Sequence, residues 1–120
     1  MIAGLLRNVP HELAYLARRL RGRPGAPSVS VGEAAALVAA GTPVVDVREP
    51  AEWDRGHIEG AIHIPLAQLE GRLAEVPNTP VLTICRSGNR SLVAADLLAR
   101  HGRDARSVAG GMGAWNAEVR

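Results

Sequence analysis

The stretch Val81–Leu82–Thr83–Ile84–Cys85–Arg86–Ser87–Gly88–Asn89–Arg90–Ser91 changes character at its centre. Val81–Ile84 is apolar apart from one Thr and reads as a buried strand. Asn89–His101 reads as a helix, with Leu92, Val93, Ala95, Leu97 and Leu98 giving broad burial. Between them lie Cys85 and a polar turn. Working outward, short apolar runs and helical patterns alternate. The expected strands are Ser28–Val31, Val44–Val47, Ala61–Ile64 and Ala105–Val108. The expected helices are Gly32–Ala40, Pro50–Arg55, Leu66–Val76 and Gly113–Val119. Strands alternating with helices imply an α/β fold, a central parallel sheet flanked by helices on both faces. Sites in such sheets form beyond the C-terminal strand ends, where Cys85 falls.

Composition sets bounds on this reading. The chain has 120 residues, enough for one compact domain, and is 47% hydrophobic. There is no Phe, one Tyr and two Trp, so the core is built from Ala, Val, Leu and Ile. A net charge of +2 does not suggest a nucleic-acid partner. All 14 basic residues are Arg, which rules out a lysine nucleophile. A single Cys forms no intrachain disulfide and no multi-cysteine zinc site. The opening Met1–Arg7 lacks the pattern of a secretory signal, and no apolar run approaches membrane-spanning length. The expected location is cytoplasmic.

The residues after Cys85 are poor packing residues but suit an anion site. A strand-to-helix loop turns successive N–H groups inward, and the helix start adds unpaired donors and a positive dipole end. Gly88 frees the backbone. Arg86 and Arg90 add positive charge. A thiol in that field ionises more readily and becomes a nucleophile. A lone Cys after a buried strand is more often a small core residue than a nucleophile, and it is the polar loop that changes that balance.

The loop "CRSGNRS" (Cys85–Ser91) resembles the active-site loop of single-domain rhodanese-like sulfurtransferases. "VVDVREPAEWDRGHIEGAIHIPL" (Val44–Leu66) resembles the upstream signature of that family. "VAGGMGAW" (Val108–Trp115) resembles its C-terminal signature. The resemblance runs from about Ser28 to the chain end. It implies a rhodanese-like fold and a Cys85 nucleophile that takes sulfur from thiosulfate or a similar anionic donor as a persulfide. The sulfur then passes to cyanide or to a thiol on a small molecule or protein. Ser87, Gly88, Asn89 and Ser91 would complete the substrate cradle. Arg86 would attract the donor. Arg90 would either meet the donor's oxygens or brace the loop through a carboxylate. No metal or organic cofactor is implied. Related cysteine phosphatases use a seven-residue loop. Here Cys85 to Arg90 spans six residues and Ser91 holds the seventh place, which favours sulfur over phosphate chemistry. The alternatives are a cysteine-dependent phosphatase or arsenate reductase, and a non-catalytic interaction module.

Asp46 and Arg48 end a neighbouring strand. Asp46 is expected to support the loop as a structural ion pair, and Arg48 either to do the same or to bind the donor. His57, between Gly56 and Gly60, reads as structural. Gly110–Gly111 reads as a tight turn, and Trp115 as a core anchor. His11, His63 and His101 receive no role.

Residues 1–25 form a separate unit in this reading. Ile2, Leu5, Leu6, Val9, Leu13, Leu16, Ala17 and Leu20 share one helical stripe, with Arg18, Arg19 and Arg21 outside it. Pro10 suits a helix start. A Gly/Pro linker, Gly22–Pro27, follows, and the rhodanese-like domain takes 26–120. Such a helix could cover its own domain or a twin subunit in a homodimer, dock on a partner, or lie on an anionic membrane surface.

Overall fold

The computed structural model describes residues 27–119, so the expected N-terminal helix lies outside the described residues. The elements are β1 (Ser28–Val29), α1 (Val31–Ala39), β2 (Val44–Asp46), α2 (Pro50–Asp54), β3 (Ile62–His63) and α3 (Leu66–Leu69). A 3-10 helix (Glu70–Glu75), β4 (Val81–Ile84), α4 (Asn89–Arg100), β5 (Ala105–Val108) and α5 (Gly111–Glu118) follow. The strands form one parallel sheet in the order β1-β5-β4-β2-β3. β4 sits at its centre, between β5 and β2, and carries Cys85 out of the sheet's middle. Among the described residues no helix is long and apolar enough to cross a membrane.

The two faces of the sheet sort by the period-2 alternation of strands. Val45, Val81, Cys85 and Ala105 pack with Leu69, Ala94, Ala95 and Leu98, so α3 and α4 cover one face. Val29, Val44, Leu82, Ile84 and Val108 pack with Ala34 and Met112, so α1 and α5 cover the other. A continuous apolar run such as Val81–Ile84 is what a strand buried on both faces requires; all four of its residues are buried.

Several expectations shift, each for a physical reason. The first strand ends at Val29 because Ser30 caps α1. Its Oγ accepts from Glu33 N at 3.1 Å, and Glu33 returns to Ser30 N at 3.0 Å. The helix expected over Leu66–Val76 breaks into α3 and the 3-10 segment, with non-helical angles at Arg72. Gly71, a weak helix former, directly precedes the break. In α4 the expected burial of Leu92 and Val93 fails: they are 41% and 53% exposed. The inward stripe is Ser91, Ala94, Ala95 and Leu98. Ser91 is held against the Cys85 loop, and the 3.6-residue period then turns 92 and 93 outward. The last helix starts two residues earlier than expected, at Gly111. Trp115 is half-buried, packed beside the α1/α5 core rather than anchoring it from within.

The start of α5 presses on the Cys85 loop. Met112 N donates to Cys85 O at 2.7 Å and Gly113 N to Arg86 O at 3.1 Å. Gly110 and Gly111 both adopt positive φ, +79° and +58°. A Cβ on Gly111 would overlap the Cys85 carbonyl oxygen and lie 2.7 Å from Arg86 backbone atoms. Gly111→Ala is therefore expected to cost about 2–4 kcal/mol, combining left-handed strain with overpacking. Gly102 has φ +79°, and a Cβ there would meet nothing within 4 Å, so Gly102→Ala should cost only about 1–2 kcal/mol. Urea midpoints of the two variants test this; equal losses would show that the contact with the loop contributes nothing.

Candidate active site

Cys85 leaves β4 with its side chain 1% exposed among core residues. Its Sγ accepts from Gly88 N at 3.1 Å and from Ser91 N at 3.3 Å. Ser91 Oγ lies 3.4 Å away. Gly88, at φ +110°, makes the reversal that points these amides at the sulfur. A Cβ there would meet Gly110 N at 3.3 Å, so the loop and the α5 turn fit together without side chains. Burial pushes the Cys85 thiol up. The hydrogen bonds from the Ser91 hydroxyl and from the Ser91, Gly88 and Ser87 amides outweigh it and leave the thiol below its ordinary value.

Ser91 is buried and fixed on several sides. Its backbone carbonyl accepts from Thr83 Oγ1 at 2.8 Å, and its hydroxyl lies 3.1 Å from Gly88 O and 2.7 Å from Ser107 Oγ. The central strand's single polar residue, Thr83, thus fastens the first turn of α4. Arg86, Ser87 and Asn89 are exposed on the loop.

Arg90, for which a brace and a donor contact were both expected, is paired with a carboxylate in this structure. Its guanidinium forks onto Glu52 of α2, Nη1–Oε1 at 2.7 Å and Nη2–Oε2 at 2.8 Å. Glu52 also accepts from Glu49 N at 3.0 Å. The Arg90 bonds hold the Glu52 carboxyl down at about 2, against an ordinary 4.5.

Of the two roles open to Arg48, the ion pair is the one visible in the structure, where its guanidinium is buried in the scaffold. Nε and Nη2 clasp Asp46 at 2.9 and 2.8 Å, Nη1 donates to Glu52 O at 3.1 Å and Nη2 to Gly56 O at 2.8 Å. Asp46 is fully buried and also accepts from Arg48 N at 3.0 Å. This matches the structural ion pair expected of Asp46. Arg48 thereby holds both ends of the segment that carries Glu52, and Glu52 holds the loop.

Sequence reasoning missed Glu52, Ser107 and His63. His63 Nε2 lies 2.8 Å from Arg48 O, and its ring stacks on Trp53 at 4.6 Å. His57, in its glycine-flanked turn, stacks on Trp53 at 3.4 Å and bonds Trp53 O through Nδ1 at 3.0 Å. The two imidazoles lock α2 rather than face the sulfur. Only the position of Glu52 in the first turn after Pro50 carried a signal for its role. The helix places that residue on the same side as its cap, toward the strand ends.

Comparison with known proteins agrees with this architecture. The family model described as Rhodanese-like domain matches residues 30–118. YrkF of Bacillus subtilis is 38% identical over 78 residues, 63% of this chain. The chain spans only 42% of that relative's length. A rhodanese-related protein from Thermoplasma volcanium is similar at a TM-score of 0.73 and 31% identity, over 78% of this chain and 93% of its own. The human single-domain sulfurtransferase TSTD1 is similar at a TM-score of 0.66 and 30% identity, over 80% of this chain and all of its own.

The Arg90–Glu52 fork yields a pH prediction. A depressed carboxyl stabilises fully above its unfolded value and loses that contribution as pH falls from about 4.5 toward about 2. Glu52→Gln should cost on the order of 1 kcal/mol at neutral pH, discounted for the one-third exposure of Arg90. Urea unfolding of wild type and variant across this range should show the gap closing at acid pH. A gap of constant size would assign the loss to packing rather than charge.

Proposed function

This chain belongs to the rhodanese-like domain family, and we propose that it is a sulfurtransferase working through a Cys85 persulfide. The observation that carries the reading is the convergence of the Gly88 and Ser91 amides on a buried Sγ. That arrangement stabilises negative charge on sulfur before the reaction and again afterwards. The Cys85 thiolate attacks the outer sulfur of thiosulfate. The bond to the sulfonate sulfur breaks, and sulfite leaves with the electron pair. The new outer sulfur carries the charge, and the inward-turned N–H groups of the loop hold it. Cyanide then attacks that sulfur and leaves as thiocyanate, or a thiolate attacks it and leaves as a persulfide. Either step returns the Cys85 thiolate. The chemistry calls for no metal or organic cofactor.

Two features disfavour phosphate ester hydrolysis. The loop has six residues from Cys85 to Arg90, and the next residue, Ser91, brings a hydroxyl to the sulfur where a seven-residue loop would bring Arg. The one guanidinium at the loop's end, Arg90, is turned onto Glu52 and offers no internal clamp for a phosphate. Arg86, exposed on the loop, is left to attract the donor.

Assays of thiosulfate-dependent thiocyanate formation, run beside aryl phosphate hydrolysis, test the proposal. Sulfur transfer is expected in wild type and absent in folded Cys85→Ser, with little phosphatase turnover in either. Cys85-dependent phosphatase activity without sulfur transfer would overturn it. Arg86→Ala should raise KM for thiosulfate roughly fivefold at low salt, for about 1 kcal/mol of exposed charge attraction, and less as salt screens it.

A further inference from the structure

Ser107 lies on β5, 1% exposed, opposite Thr83 of β4. Its backbone is occupied by the parallel ladder, and its N–H donates to Pro27 O at 3.0 Å. Among the described residues its hydroxyl has one hydrogen-bond partner, Ser91 Oγ at 2.7 Å. Ser91 in turn is 3.4 Å from Cys85 Sγ. Three groups in a row, Ser107, Ser91 and Cys85, therefore share a set of hydroxyl and thiol protons away from solvent.

A hydroxyl has one proton to give and two lone pairs to receive. Ser91 has three neighbours that could take its proton: Gly88 O, Ser107 Oγ and, once ionised, Cys85 Sγ. With the thiol protonated, S–H donates to Ser91 Oγ, and Ser91 donates to Gly88 O. When the thiol loses its proton to solvent, Ser91 must turn its hydrogen to the sulfur. Gly88 O is not stranded by that turn, because Leu92 N donates to it at 3.2 Å. Ser107 decides whether the turn is free to happen. If Ser107 donates to Ser91 Oγ, the proton of Ser91 is left for the sulfur.

We propose that Ser107 is a positioning residue for the Cys85 thiolate, acting as the outer donor of a buried hydroxyl relay, Ser107 to Ser91 to Cys85. It touches neither donor nor acceptor. It polarises the Ser91 hydroxyl and fixes its direction. In the persulfide the charge moves to the outer sulfur, and Ser91 turns back to Gly88 O. The relay thus favours the free thiolate over the loaded state at the inner sulfur. This role deepens the sulfur-transfer reading and rests on it for its purpose, but the ionisation it controls is measurable without any sulfur donor.

The charged surroundings of the sulfur are few. Arg90 of α4 acts on it across the loop while paired with Glu52 of α2. Arg86 is on the loop itself. The Asp46–Arg48 pair closes neighbouring β2, where Asp46 is in register with Ile84. On β5, Arg106 faces Asp104 at 3.9 Å. In α5 the sole titratable side chain is Glu118, at the end away from the loop. Replacing Ser107 by Ala changes none of these charges.

The test is the pH dependence of Cys85 ionisation in the full chain, read by thiolate absorbance and by the rate of iodoacetamide alkylation. Wild type, Ser107→Ala, Ser91→Ala and the double variant are compared, with urea midpoints to establish folding. Ser107→Ala should raise the midpoint by a few tenths of a pH unit, roughly the share of one hydrogen bond that polarisation by a second supplies. Ser91→Ala should raise it at least as far, and the double variant should match Ser91→Ala, because a relay has no effect once its middle member is gone. Ser107→Thr, which keeps a hydroxyl, should restore the wild-type midpoint if it folds. An unchanged midpoint in folded Ser107→Ala overturns the proposal. So does a Ser107 effect that survives in full on the Ser91→Ala background. A protein that shows these shifts yet transfers no sulfur would contradict the function and leave the relay standing.

Discussion

Aiming backbone N–H groups at one buried sulfur is the constraint that organises this molecule. Sγ can receive the Gly88 and Ser91 amides only if the chain curls back within the few residues between β4 and α4. That curl demands the positive φ of Gly88. It also leaves the Cys85 and Arg86 carbonyls pointing out of the loop, and buried carbonyls need partners. The start of α5 supplies them through Met112 and Gly113. For α5 to come so close, residue 111 must lack a side chain. The glycine pair far along the sequence is thus a consequence of the cysteine loop.

The loop is held from its other side by a series of charges. Buried Asp46 orients Arg48, Arg48 grips the backbone at Glu52 and Gly56, and the Glu52 carboxylate grips Arg90. A buried ion pair is weak evidence for stability in itself, since desolvation offsets much of its attraction. Its value here is placement. Asp46 and Arg48 have their polar atoms satisfied by each other and by backbone, so β2 can end in charge beside the sheet's central strand and still be packed. The Trp53 ring, stacked on His57 and His63, keeps α2 in place above that pair. Arg48 and Arg90 are thus each paired with a carboxylate, while Arg86 is exposed on the loop.

Much of this was legible in the sequence, and the rest was hidden for identifiable reasons. Strands β4 and β5 were legible to the residue, β4 as an apolar run ahead of a polar loop and β5 as a short segment closed by the glycine pair. The parallel α/β architecture followed from the alternation of elements, and Cys85 at the strand end from the change of character after Ile84. The orientation of α4 was not legible. Its apolar residues run nearly all round the helix, and only the inward pull on Ser91 decides that Leu92 and Val93 face out. Arg48 and Arg90 look alike in sequence, each one polar residue near a strand end or loop. Their roles depend on Asp46 and Glu52, and the Arg90 partner lies 38 positions away. Ser107 offered no signal, because one Ser in a strand is ordinary until the strand beside it is known to carry Cys85.

The most direct measurement is the intact mass of the protein after incubation with thiosulfate and removal of excess reagent, followed by addition of cyanide. The account predicts a gain of one sulfur atom that maps to Cys85, is lost on cyanide treatment, and is absent in Cys85→Ser. An unchanged mass in folded wild type at a pH where Cys85 is ionised, or a sulfur adduct that persists in Cys85→Ser, would contradict it.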